Sequence, residues 1–185
     1  MKDVLTGKFV RLSAFDPEEM SRAFPRWNMN SEYFRLLNPF ARPMQSAKSA
    51  LKWMEEEVAE MSLANYYFSI RTLAEDKLIG ELGLDVVNWS GRDGFVGLGI
   101  GEIEYWSKGY GTDIMNVLLR YAFTEINLKR VTLSVFEYNP RAIRSYEKAG
   151  FRHEGRRRLA LNREGRRWDE IYMGILREEW MELNS

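Results

Sequence analysis

The stretch YWSKGYGTD, residues 105–113, has the residue types that bind an anion where a helix is about to begin. Gly109 and Gly111 leave the backbone bare, so a ligand could approach it closely. The first amides of a helix have no intrahelical partners and lie at the positive end of its dipole. Lys108 could add a charge and Thr112 a hydroxyl. The stretch favours a pyrophosphate-binding loop, and a plain tight turn is the alternative.

A second motif, NPRAIRSYEKAGF, begins about 28 residues after the glycine loop. Asn139 is a helix cap, Pro140 suits the first helical turn, and Gly150 ends the helix. Tyr146 falls on the face that it shares with Ala142. The motif therefore predicts a short helix that presents one tyrosine to whatever the helix packs against.

Composition limits the class of protein. The 185 residues have 45% hydrophobic and 29% charged content and a formal net charge of zero, which indicates one globular domain, residues 1–185, with no global attraction to nucleic acid or membrane. With no cysteine and a single histidine, His153, thiolate zinc sites and a cysteine nucleophile are excluded, and no metal is expected. No P-loop or GxGxxG pattern is present. No apolar run reaches the roughly 20 residues of a membrane span, and the N-terminus lacks a signal-peptide core, so we expect a cytoplasmic protein.

Hydrophobic periodicity predicts an α+β protein with a mixed sheet. The first half has a strand, two helices and a three-stranded antiparallel meander, namely KFVRLSAF, DPEEMSRAF, SAKSALKWMEEEVAEM, NYYFSIRT, KLIGELGLDVV and GFVGLGIGEIEYW. The second half alternates helix and strand before a final hairpin, namely TDIMNVLLRYAFTEI, RVTLSVFEY, NPRAIRSYEKAG, GRRRLAL and DEIYMGIL. The apolar face of the second helix is predicted at Leu51, Met54, Val58 and Met61.

Together, YWSKGYGT and NPRAIRSYEKAGF resemble the cofactor-binding core of the GNAT superfamily of acetyl-CoA-dependent N-acetyltransferases. The resemblance runs from VRLSAF to YMGILREEW and looks closest to the branch of ribosomal-protein N-terminal and spermidine/diamine acetyltransferases. It implies the GNAT fold, a twisted and splayed sheet of about seven strands flanked by about four helices. The strand ending near Tyr105 should lie parallel to the strand of residues 131–136. The family loop has Arg or Gln where this chain has Trp106, so one polar contact is lost.

The resemblance also implies roles for individual residues. Gly101, Glu102 and Ile103 end the strand whose backbone pairs with the pantetheine arm in this family. Asn139 lies where the family contacts the pantetheine or its thiol end. Tyr146 takes the place of the tyrosine that protonates the departing CoA thiolate, and a phenol with a pKa near 10 is protonated at neutral pH. An aromatic ring packed in the core is the other interpretation of Tyr146. The pyrophosphate is expected among Lys108, Gly109, Tyr110, Gly111, Thr112 and Asp113.

The general base is open at this stage. Glu102 and Glu104 are in phase with Leu98 and Ile100, so without a bulge they continue an inward-facing row. Desolvation on that row would raise the pKa of a carboxyl group, which suits a base. Solvated strand-end glutamates are an equal alternative, and water could also take the proton. Glu81, one strand earlier, is a weaker candidate.

The acceptor amine is also open. Family members bind it between the first two helices and the last hairpin, here residues 24–44 and 156–168. An aromatic-lined cleft suits a peptide N-terminus or an aliphatic amine. A polyamine would need carboxylates, which the run Glu55 to Glu57 and Glu60 could supply.

Two other classes of function stay open. One is a GNAT-fold protein that binds acyl-CoA without turnover, although Tyr146 and the glycine loop argue against it. The other is an RNA-binding module, because the last hairpin has seven arginines between Arg152 and Arg167. Zero net charge makes a nucleic-acid partner unexpected. Many relatives are dimers, so a homodimer is an expectation by analogy.

Overall fold

A computed structural model describes residues 3–42, 44–60 and 62–185. Two residues of the sequence-based predictions, Met61 in the second predicted helix and Pro43 in the predicted acceptor region, lie outside the described residues. The elements follow in chain order: β1 (Val10–Ala14), α1 (Pro17–Asn28), α2 (Ser31–Leu37), α3 (Ala47–Ala59), β2 (Asn65–Thr72), β3 (Leu78–Asn88), β4 (Asp93–Ile100), α4 (Tyr110–Thr124), β5 (Arg130–Phe136), α5 (Pro140–Lys148), β6 (Arg152–Arg163), β7 (Arg166–Leu176) and α6 (Arg177–Leu183).

Within the described residues, seven strands form one mixed sheet in the order β1-β2-β3-β4-β5-β7-β6. β4 and β5 run parallel, as predicted, because α4 forms the crossover between them. Their register spans only three residue pairs, from Asp93 with Arg130 to Phe95 with Thr132. Beyond Phe95 the two strands separate. The predicted opening between these strands is therefore confirmed.

The α+β class and the seven-stranded sheet are confirmed, but the prediction of about four helices is wrong. The described part of the chain has six α-helices. The two that periodicity missed, α2 and α6, have seven residues each, too few to repeat an apolar pattern over several turns. A local signal for α2 exists, because the side chain of Asn30 accepts hydrogen bonds from the amides of Glu32 and Tyr33.

β4 ends at Ile100, so the prediction of a strand that continues to Trp106 is wrong. The amides of Gly101 and Glu102 both donate to the carbonyl of Ile79, at 2.9 and 3.2 Å, and a 3₁₀ turn follows at Ile103–Tyr105. A Cβ atom at Gly101 would overlap the indole of Trp27, so this glycine lets α1 pack directly on the backbone. The chain turns away from the sheet here, and the predicted inward row of glutamates does not form.

Helices cover both faces of the sheet. α4 and α5 pack on one face against the larger core, which includes Val96 of β4. α1, α2 and α3 cover the other face through a smaller cluster: Met20, Ala23, Trp27, Tyr33, Met54 and Leu78. Since side chains alternate along a strand, Gly97 and Gly99 of β4 face α1 to α3. No helix in residues 3–42, 44–60 or 62–185 is both long and apolar enough to cross a membrane.

Candidate active site

A cavity of about 550 Å³ lies where β4 and β5 separate. This volume is within the range of small-molecule sites, roughly 300 to 1,000 Å³. Its wall combines both sides of the sheet: α2 from one, and the start of α4 with α5 from the other. The predicted residues that line it are Gly109, Gly111, Thr112, Asn139 and Tyr146. A molecule in this cavity can therefore contact groups from both faces of the sheet.

The glycine loop leads into α4 as predicted. Gly109 is the N-cap residue, and its φ of +88° lies in the left-handed region that favours glycine. Lys108 is exposed. The ring of Tyr110 packs on Phe9 and Tyr105, with centroid distances of 5.3 and 4.9 Å. Neither Lys108 nor Tyr110 lines the cavity, so the structure brings only part of the loop to it.

Gly111 and Thr112 have an additional packing role that the sequence did not indicate. A Cβ atom at Gly111 would lie 2.8 Å from Oγ of Ser145, so the glycine permits close packing of α4 on α5. The Thr112 hydroxyl lies 3.1 Å from the same Oγ and 3.3 Å from the Ser145 carbonyl. The bare backbone at Gly111 is therefore explained by helix packing as well as by ligand access.

Asp113 lies away from the cavity, in contrast to its predicted place around the pyrophosphate. Its carboxylate accepts hydrogen bonds from the amides of Lys8 at 2.9 Å, Phe9 at 2.7 Å and Val10 at 3.2 Å. These bonds hold the start of β1 against the first turn of α4, where a negative charge also suits the helix dipole. Gly101 and Ile103 do not line the cavity either, and Ile103 is half exposed.

α5 presents two of the predicted residues to the cavity. The side-chain oxygen of Asn139 accepts from the amide of Ala142 at 3.1 Å, which caps the helix and leaves the side-chain NH₂ free to donate. Tyr146 is buried and lines the cavity. Burial raises the pKa of its hydroxyl to about 12. The phenol is therefore protonated across the physiological pH range.

Trp106, which replaces the usual Arg or Gln of the family loop, makes two contacts that fix its indole ring. Its indole N–H donates to the carbonyl of Ile100 at 2.7 Å. The guanidinium carbon of Arg141 lies 3.7 Å from the ring centroid. Arg141, Arg144 and Lys148 all line the cavity from α5. Sequence reasoning missed this cationic row, although helical spacing within NPRAIRSYEK could have revealed it.

Glu102 is buried, but the prediction of a raised pKa is wrong. Burial alone would raise the pKa of this carboxyl group. Hydrogen bonds from Arg26 and from the Trp27 indole, at 2.9 Å for the latter, outweigh burial and hold the pKa below its usual value. Glu104 is exposed, and a 2.7 Å hydrogen bond from Lys77 lowers its pKa as well. Neither residue lines the cavity, so the structural grounds for a base at Glu102 or Glu104 are lost.

Glu81 does not line the cavity either, but it has the raised pKa that was predicted for Glu102. It lies on β3, in register with Ser69 of β2 and Gly99 of β4. An ideal Cβ atom on Gly99 would be 2.8 Å from the Tyr33 hydroxyl and 3.6 Å from Cγ of Glu81, so both side chains flank this glycine. Burial raises the pKa of Glu81 to about 7.

Two buried hydroxyls accompany Glu81. In the part of the chain that the structure describes, neither the Tyr33 hydroxyl nor the Ser69 hydroxyl has a hydrogen-bond partner. Tyr33 lines the cavity. Because buried polar groups are usually paired, the Tyr33 hydroxyl on the cavity wall is available to a ligand.

Comparison of the sequence with protein families shows which family this chain belongs to. Residues 10–152 match the family described as an acetyltransferase (GNAT) domain. The chain belongs to the GNAT acetyltransferase family. It is accordingly an acetyl-CoA-dependent acetyltransferase, as its named relatives also indicate.

Two curated relatives of this GNAT protein come from Bacillus subtilis (strain 168). The SPbeta prophage-derived uncharacterized N-acetyltransferase YokL is 27% identical over 180 residues, which cover 97% of this chain and 96% of the relative. The probable N-acetyltransferase YjcK is 32% identical over 100 residues, which cover 52% of this chain and 55% of the relative.

Solved structures share the GNAT fold over nearly the whole chain. Spermidine N-acetyltransferase from Vibrio cholerae, in complex with CoA and spermine, has a TM-score of 0.80 and 26% identity, covering 93% of this chain and 98% of that chain. A GNAT-family acetyltransferase from Bacillus anthracis has a TM-score of 0.76 at 21% identity, covering 94% of this chain and 98% of that chain, and supports the fold alone.

The cavity residues of this GNAT protein fit acetyl-CoA, the acetyl donor of the family. Its phosphates are anionic, and the cavity has the N-terminus of α4 with three cationic side chains of α5 beside it. The splayed strands leave space for an extended arm between them. Across residues 3–42, 44–60 and 62–185, no group of three or more His, Asp or Glu side chains is placed to hold a metal ion.

Proposed function

We propose that this protein transfers the acetyl group of acetyl-CoA to a primary amine in the cavity between β4 and β5, with Tyr146 as acid and Glu81 as base. The observation that carries the proposal is a cavity between splayed strands with a buried phenol on its wall and a half-buried carboxyl group on the strand next to β4. Tyr146 lines the cavity from α5, and Glu81 is the cross-strand partner of Gly99 on β4. When bound, acetyl-CoA supplies a thioester carbon that an amine nitrogen attacks, with cleavage of the C–S bond.

Glu81 is the best-placed proton acceptor. A primary amine is mostly an ammonium ion at neutral pH and must lose two protons to become an amide. One proton goes to solvent before the attack, and Glu81 takes the second as the N–C bond forms. A carboxyl group with a pKa of about 7 is ionised often enough to accept a proton and basic enough to hold it. Glu102 and Glu104 have lowered pKa values and engaged oxygens, so they are weaker bases.

Tyr146 is the proposed proton donor. Its hydroxyl remains protonated at neutral pH because burial raises its pKa. It gives this proton to the departing sulfur as the C–S bond breaks, and solvent restores it. The exchange releases one net proton for each amide formed.

We assign the cofactor contacts to the residues that line the cavity. The amides of Gly109, Gly111 and Thr112 and the side chains of Arg141, Arg144 and Lys148 bind the phosphates. The free NH₂ of Asn139 donates to the pantetheine arm. In the structure the predicted contacts at Gly101, Glu102, Ile103, Lys108, Tyr110 and Asp113 lie off this surface.

The two alternative functions have less support. A catalytically silent acyl-CoA-binding protein would not need a carboxyl group with a raised pKa on the strand beside a cavity that a buried phenol lines. An RNA-binding hairpin would need free cations, but Arg152, Arg156 and Arg157 form ion pairs with Glu179, Asp169 and Glu170 at 2.6, 2.9 and 2.8 Å. Homodimerisation stays a prediction.

The test is acetyl transfer itself. The protein is incubated with acetyl-CoA and a panel of primary amines, and N-acetylated product is measured by mass spectrometry beside free CoA thiol. We expect one thiol for each acetylated amine, at a rate well above the protein-free reaction. Tight binding of CoA by calorimetry, with no amine acetylated, would favour the silent alternative.

A further inference from the structure

The part of the cavity next to α2 has mostly apolar walls. Side chains alternate along the strands, so the α2-facing positions of β4 and β5 are those that point away from the larger core. The apolar residues on this side come from α2, the segment after it and the two strands: Tyr33, Leu36, Leu37, Pro39, Phe95 and Phe136. Strand register places the polar lining residues Ser134, Arg157 and Glu170 on the same face.

The floor of this apolar region is made of glycine. A Cβ atom at Gly97 would meet no atom within 4 Å, so there is open space directly above the strand. At Gly99 the space is closed by Tyr33 and Leu37, whose nearest atoms would be 2.8 and 3.2 Å from a Cβ atom. The room for the body of an acceptor therefore lies over Gly97. The polar end of this region of the cavity lies at Gly99.

The polar end offers few partners. The Tyr33 hydroxyl and the Glu81 carboxylate flank Gly99. Ser69 lies in register with Glu81 on the next strand. This group can receive one ammonium. A peptide N-terminus would also bring backbone amides, and apolar walls would leave these unpaired at a free-energy cost.

The charges on the cavity wall disfavour a polyamine. Among the described lining residues, Glu170 is the one carboxylate, and Arg157 already engages it at 2.8 Å. Among these lining residues, Arg157 is the cation on the acceptor side, because Arg141, Arg144 and Lys148 belong to α5 and are assigned to the CoA phosphates. The acidic run from Glu55 to Glu57 is exposed on α3 and does not line the cavity. Each further ammonium group of a polyamine would therefore find no unengaged carboxylate among the described lining residues.

We infer that the acceptor is a primary monoamine with an apolar body of about arylethyl size, its nitrogen toward Tyr33 and Glu81 and its body over Gly97. The inference rests on the proposed function and names the substrate class for it. The inferred acceptor differs from spermine, the polyamine bound with CoA in the Vibrio cholerae structure.

The first experiment compares 2-phenylethylamine with spermidine as acceptors at saturating acetyl-CoA. We expect kcat/KM for 2-phenylethylamine to be at least about tenfold higher, the usual worth of an apolar pocket matched to its substrate. Equal or greater kcat/KM for spermidine would overturn the inference and leave the proposed function standing. Tight CoA binding without acetylation of any amine would overturn both.

The second experiment places a side chain over the glycine floor. Gly97→Leu should lower kcat/KM for 2-phenylethylamine by about tenfold or more, while the Kd for CoA changes less than about twofold. Gly155→Leu is the matched control, because Gly155 is also a strand glycine with no atom within 4 Å of a Cβ, and it lies off the cavity.

If Gly97→Leu does not fold, Gly97→Ala provides the same comparison with a smaller expected loss of about threefold. A folded Gly97 variant that acetylates 2-phenylethylamine at the parent kcat/KM would contradict the placement of the acceptor body.

Discussion

Arg141 lies over Trp106, with its guanidinium carbon 3.7 Å from the centroid of the ring. Both residues line the cavity, one from α5 and one from the loop before α4. In the loop pattern of the GNAT family, a polar side chain, Arg or Gln, occupies the position of Trp106. Arg141 therefore brings a cation to the region where the loop lost one, and desolvation lowers the pKa of its guanidinium group without removing the charge at neutral pH.

Replacing Arg141 with alanine should weaken CoA binding. The loss of one charge-assisted hydrogen bond to phosphate corresponds to about 1–2 kcal/mol, or a Kd increase of about 5- to 30-fold. Isothermal titration calorimetry measures this directly. Arg166→Ala is the matched control, because Arg166 makes the same kind of stack, 3.8 Å from the centroid of Trp168, away from the cavity. An unchanged Kd for Arg141→Ala would place the phosphates elsewhere.

The pH dependence should identify Glu81. A base must be ionised to accept a proton, so its contribution is lost as pH falls through its pKa of about 7. We expect the ratio of kcat/KM between the parent and Glu81→Gln to rise with pH up to about 7 and then level, at about 10²-fold or more. The ratio is used because ionisation of the amine affects both proteins equally.

Glu104→Gln is the control for that profile. Glu104 is exposed and accepts a hydrogen bond from Lys77, so the ratio of kcat/KM between the parent and Glu104→Gln should stay near one at every pH. A pH-independent ratio for Glu81→Gln would indicate that water or another group takes the proton.

Gly111 and Ser145 should be coupled in stability. A Cβ atom at position 111 would lie 2.8 Å from Oγ of Ser145 and 3.7 Å from its Cβ, so removing the hydroxyl relieves the contact. Gly111→Ala should therefore cost about 1–2 kcal/mol more in the parent than in the Ser145→Ala background, by denaturant unfolding. A coupling near zero would leave ligand access as the reason for this glycine.

Glu102 should contribute to stability and little to catalysis. Glu102→Ala leaves the indole N–H of Trp27 unpaired in a buried site, at a cost of about 1–3 kcal/mol in the free energy of unfolding. Glu102→Gln keeps an acceptor for that N–H and should lose less. If instead Glu102→Gln lowers acetyl transfer as strongly as Glu81→Gln at unchanged stability, Glu102 is the base.

Local signals in the sequence predicted much of the fold. The caps Asn139 and Pro140 define the start of α5, and helical spacing defines α4. The parallel pairing of β4 and β5 follows from the helical crossover that α4 forms between them. α2 is shorter than the pattern that periodicity can detect.

The position of the base depended on contacts that are distant in sequence. β4 ends early because Trp27 packs on Gly101, and Glu102 has a lowered pKa because Arg26, on the same helix as Trp27, reaches it. Glu81 has a raised pKa because α2 and two neighbouring strands cover it. Alternation along one strand contains none of this information, so the sequence favoured Glu102 and Glu104 over Glu81.

The most direct test of the proposed mechanism is the single-turnover rate of acetyl transfer by Tyr146→Phe. The substitution removes one oxygen and keeps the buried ring, so the Kd for CoA and the stability should change little. With enzyme in excess over acetyl-CoA, product release does not limit the rate. The account predicts a decrease of about 10²- to 10⁴-fold, the usual contribution of a positioned proton donor. Transfer at the parent rate would contradict it, since the hydroxyl would then be structural and water would protonate the sulfur.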